Sequence, residues 1–153
     1  MDKRPSQIIK FITFKVADYW FSLHIAAVLK IVNCPPPEKG GIVTLGVVQL
    51  GSHTIQLLDL YSMFDLDADA KTPNQLSFLL VLRNTQKKLW GIALDTPPDL
   101  IELPLSNFQS VPQNKYFATK RQWVSHIAVV SEQGINRTLL LLNLKSLFTH
   151  EAA

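Results

Sequence analysis

The residues able to do chemistry are few, and they are scattered. Four histidines, His24, His53, His126 and His150, form neither an HxH nor an HExxH pattern. None stands at ligand spacing from a thiol or a pair of carboxylates, so a transition-metal site has no local signature. His24 alternates with the apolar positions of its own segment, which makes it a surface or edge imidazole. Cys34 is the one cysteine, leaving no second thiol for a disulfide, a redox pair or a metal cluster. A GxSxG elbow, a GxxxxGK loop and a GxGxxG turn are all missing. Gly40-Gly41 follows prolines rather than a strand that opens a helix, so a phosphate cradle is not supported.

The carboxylates read as structural. Asp59 directly precedes Leu60-Tyr61-Ser62-Met63-Phe64, where its side chain can accept from the orphan N–H groups of a helical first turn. Asn143 occupies the same place before Leu144-Lys145-Ser146-Leu147-Phe148. Asp95 and Asp99 flank Pro97-Pro98, and aspartate is good turn chemistry. Nothing local suggests a pair of acids tuned for hydrolysis. The expectation is a protein that is not an enzyme and uses no cofactor or metal, with Asp59 and Asn143 as helix caps.

A chain of 153 residues fits one compact domain or two small barrels sharing a core, and buries about 70% of its unfolded surface. The net charge is +3 and the isoelectric point about 9.1. The basic residues are nevertheless dispersed, with only Lys3-Arg4, Lys87-Lys88 and Lys120-Arg121 adjacent, unlike the basic stripe with interleaved aromatics of a nucleic-acid binder. No nucleic-acid partner is expected, and a small-barrel RNA binder stays open only on the sign of the charge. The charged start Met1-Asp2-Lys3-Arg4-Pro5 is followed by no long apolar run, so neither a signal peptide, a membrane span nor direct membrane insertion is expected, and a cytoplasmic protein is.

The periodicity is that of strands. Ile12 to Val16 alternates apolar and polar, and after Ala17-Asp18 the pattern resumes with Tyr19, Phe21, Leu23 and Ile25. This predicts a hairpin with one face buried. Ala26 to Leu29 leads into Lys30-Ile31-Val32, and Cys34-Pro35-Pro36-Pro37 ends pairing because proline offers no N–H. Val47 to Leu50, a turn at Gly51-Ser52 and Thr54 to Leu58 give a second hairpin. Residues 65–75, poor in apolar side chains, read as a linking loop.

The order then repeats. Phe78 to Leu82, the turn Asn84 to Lys87 and Leu89 to Leu94 make a hairpin matching the first. Asp95 to Pro98 is a corner, Leu100 to Leu103 a departing strand, and Pro104 to Gln122 a polar loop before a final hairpin, Val124 to Val130 with Thr138 to Leu142. The closing run Leu139 to Phe148 repeats Ile55 to Phe64 with leucine, serine and phenylalanine in the same places. This is an internal duplication: a mainly β chain, 8–153, with halves 8–66 and 76–150, folding as two small antiparallel barrels edged by short helices and packed on one another. A single larger β-sandwich is the structural alternative. Trp20, Trp90 and Trp123 remain to be placed, either packed in the core, covered by the protein's own loops, or exposed as anchors for a partner.

The segments that complete this pattern resemble the CheW family of chemotaxis adaptors. Ile25-Ala26-Ala27-Val28-Leu29-Lys30-Ile31 is similar to the family's I-x-x-V-x-x-I run. Gly46 to Ser52 followed by Ile55 to Leu60 is similar to its G-x-x-N-L-R-G, apolar strand and D-L. Trp90 to Asp95 resembles its V-G-I-x-V-D, and Leu140 to Leu147 its closing I-L-V-x-I-E-K-L-L. The likeness runs from about Phe11 to Phe148. It implies two pseudo-repeated SH3-like five-stranded antiparallel β-barrel subdomains with short helices and no catalytic activity. It implies as partners the regulatory domain of a CheA-like histidine kinase and the cytoplasmic tip of a methyl-accepting receptor, with recruitment to membrane-associated receptor arrays.

On that resemblance the contact candidates are Val28, Lys30, Ile31, Leu50, Gly51 and Ser52, with Trp20 beside them as an exposed-strand aromatic. The chain departs from the family pattern in this same region. Gly51 replaces the arginine of N-L-R-G, Ser52 the glycine after it, Lys30 an acidic residue, Thr96 the glycine after V-D, and His126 a glycine before the last hairpin. Arginine presents a planar fork of donors and glycine none, so altered partners are a second expectation: a repurposed scaffold that binds another regulator or its own kind.

Overall fold

The computed structural model describes residues 7–35, 46–66, 76–115, 117–118 and 120–151. Pro36, Pro37, Gly40, Gly41 and most of the linking loop, residues 67–75, lie outside the described residues. The strands are β1 (Ile8–Val16), β2 (Tyr19–His24), β3 (Val28–Asn33), β4 (Val47–Leu50), β5 (His53–Leu57), β6 (Phe78–Arg83), β7 (Leu89–Leu94), β8 (Asp99–Pro104), β9 (Phe108–Ser110), β10 (Val124–Glu132) and β11 (Ile135–Leu142). Two helices, α1 (Leu60–Met63) and α2 (Leu144–Glu151), follow β5 and β11.

The strands form two sheets, in the order β8-β1-β2-β11-β10-β9 and β3-β6-β7-β5-β4. The sheets do not follow the two halves of the sequence. Residues 28–94 build the second sheet, while the first combines the N-terminal hairpin β1–β2 with β8 to β11. Each half therefore lends its opening hairpin to the sheet of the other. The loan places β2 beside β11 and β7 beside β5, and both of those pairings are parallel rather than antiparallel. Periodicity reports which face of a strand is buried but not which distant strand lies next to it, so this exchange is invisible along the sequence.

The first sheet has six strands where five were expected, and the difference is one bend. β8 pairs with β1 at one edge and β9 with β10 at the other, and only the 3-10 turn Leu105–Asn107 separates β8 from β9. One bent strand joins both edges and closes the sheet as a barrel. This turn and β9 fall inside the expected polar loop 104–122, because three-residue elements are too short to show a period. The second sheet ends in β3 and β4, and its order places no pairing between those two edges.

The core has three parts, and the middle strands contribute to two of them. Ile12, Phe14, Phe21 and Leu140 of the first sheet meet Leu80, Leu82, Trp90 and Ile92 of the second in a central cluster. Leu79 and Val81 turn the other way, onto Val48 and Ile55. Phe11 and Leu139 do the same in the first sheet, with Leu103. A strand covered on both faces has no reason to alternate, which explains the unbroken run Phe78-Leu79-Leu80-Val81-Leu82. It also explains Trp90, which is buried although its strand offers other apolar residues. Trp123 is buried as well. Phe21 is stacked on Phe14 at 5.8 Å and meets Phe64 edge-on at 5.0 Å, joining the first sheet to the end of α1.

The recurrent capping motif is built twice with the same bonds. Asp59 Oδ1 accepts from the Ser62 N–H at 3.2 Å, and Asn143 Oδ1 from the Ser146 N–H at 3.3 Å. In both copies the capped helix starts directly after the strand that pairs in parallel with the exchanged hairpin.

Candidate protein-interaction surface

Val28, Lys30 and Ile31 lie on β3, an edge of the second sheet, and Leu50 ends β4, the opposite edge. The chain reaches β3 from β2 through the 3-10 turn Ile25–Ala27, where it crosses from one sheet to the other. His24 caps this turn, its Nδ1 accepting from the Ala26 N–H at 3.1 Å, and its ring is exposed as its sequence position suggested.

The pairing of β3 with β6 contains an irregularity: Val28 stands opposite Leu82 and Lys30 opposite Val81, so Leu29 is an extra residue in the ladder. Such a bulge re-aims the side chains beyond it. Val28 packs on the central cluster before it, and Val32 on the smaller cluster of the second sheet after it. Leu29 and Ile31 are left 46% and 42% exposed, and Ile25, in the preceding turn, 38%. Three large apolar side chains thus face solvent within seven residues at an edge that pairs with no further strand among the described residues, with the exposed Lys30 among them. Scattered exposed apolar residues need no explanation, whereas a row of them at a sheet edge makes this segment the candidate for contact with a partner. Sequence reading named Val28 and Ile31 but not Ile25 or Leu29. The available signal was that Ile25 to Ile31 holds more apolar residues than one side of an edge strand can hide.

Leu50 is half-buried and, like Val32 and Cys34, packs against Val48, Ile55, Leu79 and Val81. The two edges of the second sheet therefore flank one cluster, bringing the β3 and β4 candidates to the same barrel. Gly51 and Ser52 are the two exposed turn residues between β4 and β5, with Leu50 paired to His53. Gly51 has φ +61°, and a Cβ there would meet nothing within 4 Å. Gln49 fixes this turn, its amide nitrogen donating to the Gly51 carbonyl at 3.0 Å and its amide oxygen accepting from the Thr54 hydroxyl at 2.8 Å.

Trp20 belongs to the other sheet and stands apart from these residues. It is half-buried on β2, with the Arg137 guanidinium carbon 3.8 Å from its ring centroid and the Lys15 ammonium at 6.0 Å. Its ring lines a cavity of about 630 Å³ with Tyr19, Val129 and Ile135, and none of the β3 or β4 candidates borders it.

Among the described residues no group of three or more His, Cys, Asp or Glu could hold a metal ion, and no helix is long and apolar enough to cross a membrane. The geometry that remains is a pair of sheets with one apolar strand edge and a tight hairpin beside it. The sequence profile of the CheW-like domain matches residues 10–152. The chain belongs to the CheW-like family. Among solved structures it is similar to the scaffolding protein TtCheW from Thermoanaerobacter tengcongensis, with 18% identity over 97% of this chain and 92% of that one and a TM-score of 0.69. No curated protein matches the sequence. The CheW-like fold accounts for the two sheets and their short helices, and members of this family are scaffold proteins rather than enzymes.

Proposed function

We propose that this protein is a non-catalytic adaptor that couples the cytoplasmic tip of a methyl-accepting receptor to the regulatory domain of a CheA-like histidine kinase, in chemotaxis, phototaxis or pilus motility. It works in the cytoplasm, recruited to receptor arrays. The observation that carries this reading is the β3 edge: Leu29 and Ile31 at the bulge and Ile25 in the turn before it are exposed in the segment that matches the family's I-x-x-V-x-x-I run. A helical receptor tip presents an apolar stripe that such a row can bury, and a kinase domain can extend the free edge or seat against the Gly51-Ser52 turn. Val28 then supports the surface from the core, Ile31 and Lys30 make contact, and Leu50, Gly51 and Ser52 form the second contact. Capture of the CheA-like kinases and receptor tips encoded by the same organism tests this. Retention of one of each supports the coupling role, and retention of none removes it.

A second reading, a repurposed CheW-like scaffold that binds a different regulator or itself, is favoured by Gly51 and Lys30, which replace an arginine and an acidic residue of the family pattern. Gly51→Arg separates the two, because the site is sterically open. On a surface still used for coupling, the restored guanidinium raises affinity for the kinase domain or the receptor tip. On a repurposed surface it does not.

A further inference from the structure

A second recess lies at the far end of the β6–β7 hairpin, between its turn and α2, with a volume of about 600 Å³. Its apolar walls are Trp90, Leu144 and Phe148, with the Trp90 and Phe148 rings 5.4 Å apart. Its charged lining comprises Arg83, Lys88 and Lys145, and no Asp or Glu among the described residues lines it. The turn that carries two of these cations is held in shape, since Asn84 Oδ1 accepts from the N–H groups of Gln86 and Lys88 at 3.0 and 2.9 Å. Three cations in one recess repel one another unless an anion joins them.

Trp90 supplies an independent observation. It is 1% exposed, and its indole N–H meets no acceptor. An indole nitrogen only donates, and buried donors are ordinarily paired. The Lys88 ammonium lies 5.0 Å from the centroid of the same ring, on an exposed side chain that borders the recess. Apolar walls with a few convergent donors and a one-sided charge are the chemistry of a site for an amphiphilic anion.

We infer that this recess binds a carboxylate carried on an apolar or aromatic group, the carboxylate meeting Arg83, Lys88 and the Trp90 indole N–H and the apolar group lying against Leu144 and Phe148. The site is separate from the β3 edge and does not depend on the coupling role.

The test is a titration of the isotopically labelled full-length protein, read at its three tryptophan indole N–H signals, with that of Trp90 recognised by its proximity to the Phe148 ring. 3-Phenylpropionate is expected to shift the Trp90 signal downfield and saturably, leaving those of Trp20 and Trp123 in place. The uncharged 3-phenylpropionamide binds at least about tenfold more weakly, and Arg83→Gln and Lys88→Gln, both at exposed side chains, each weaken the acid several-fold with the rest of the spectrum unchanged. A blocked Glu-Leu dipeptide separates the sources: tighter binding than the free acid assigns the carboxylate to a protein partner, and weaker binding to a small organic acid. The absence of a saturable shift, an equal response to acid and amide, or indifference to both charge variants overturns the inference.

Discussion

The side-chain amide of Gln49 donates to the Gly51 carbonyl at 3.0 Å, bracing a turn whose glycine has φ +61°. The same amide accepts from Thr54, so one side chain ties the turn to the strand that leaves it. Left-handed backbone costs an L-residue about 1–2 kcal/mol, and a side chain at position 51 meets no neighbour. Gly51→Ala and Gly51→Arg should therefore destabilise the protein by similar amounts, about 1 kcal/mol each, in urea unfolding. A much larger loss for arginine would mean that the turn is more crowded than the geometry indicates.

Gly91 sits where β7 runs parallel to β5. A Cβ there would lie 2.9 Å from both Ile55 Cγ2 and Leu79 Cδ1, closer than carbon atoms approach without movement. Gly91→Ala is expected to cost about 1–3 kcal/mol through overpacking, seen as a lower denaturation midpoint at unchanged slope. This reports directly on the exchange of hairpins between the halves, because Leu79 and Gly91 belong to the second half and Ile55 to the first.

The two caps offer a matched pair. Asp59→Ala and Asn143→Ala each remove one acceptor from a helix start and should each cost about 1 kcal/mol. Replacing Asn143 by Asp keeps the acceptor and should leave stability within about 0.5 kcal/mol. Thermal unfolding of the three variants checks this.

Much of the fold was legible, for identifiable reasons. The hairpins showed because residues such as Ile12, Phe14, Phe21 and Leu23 alternate, and the duplication showed because Ile55 to Phe64 and Leu139 to Phe148 keep the same strand-to-cap-to-helix chemistry. The exchange of β1–β2 for β6–β7 was hidden, since the choice of a distant neighbour, Trp90 beside Gln56 or Leu139 beside Trp20, leaves no local pattern. Trp90 stayed open between core and surface for a related reason: its strand is covered on both faces, so no alternation marked its inward side. At the surface, Val28, Lys30, Ile31, Leu50, Gly51 and Ser52 came from the family pattern and fall on two edges of one sheet. Leu29 was missed because its exposure follows from a bulge, a register event between β3 and β6. Trp20 lies in the other sheet, where Arg137 covers its ring.

That last contact makes its own prediction. A guanidinium stacked on a half-exposed indole contributes about 0.5–1 kcal/mol, while the Arg137–Glu132 pair at 3.9 Å, with an exposed glutamate, adds little. Arg137→Ala should lower stability by that amount and Glu132→Ala should leave it unchanged. Neither should alter binding of a kinase domain or receptor tip if the β3 edge makes those contacts.

The central claim is that the β3 edge is the coupling surface, and Ile31→Asp tests it most directly. Ile31 is 42% exposed and packs against none of the three core clusters, so an aspartate there should leave the unfolding transition nearly in place. The measurement is the affinity of the full-length variant, against that of the unsubstituted protein, for whichever kinase regulatory domain and receptor tip the latter retains. A loss of at least about tenfold for one of them, equivalent to about 1.4 kcal/mol, with folding unchanged is the expected result. Affinities equal to those of the unsubstituted protein for both partners would contradict it.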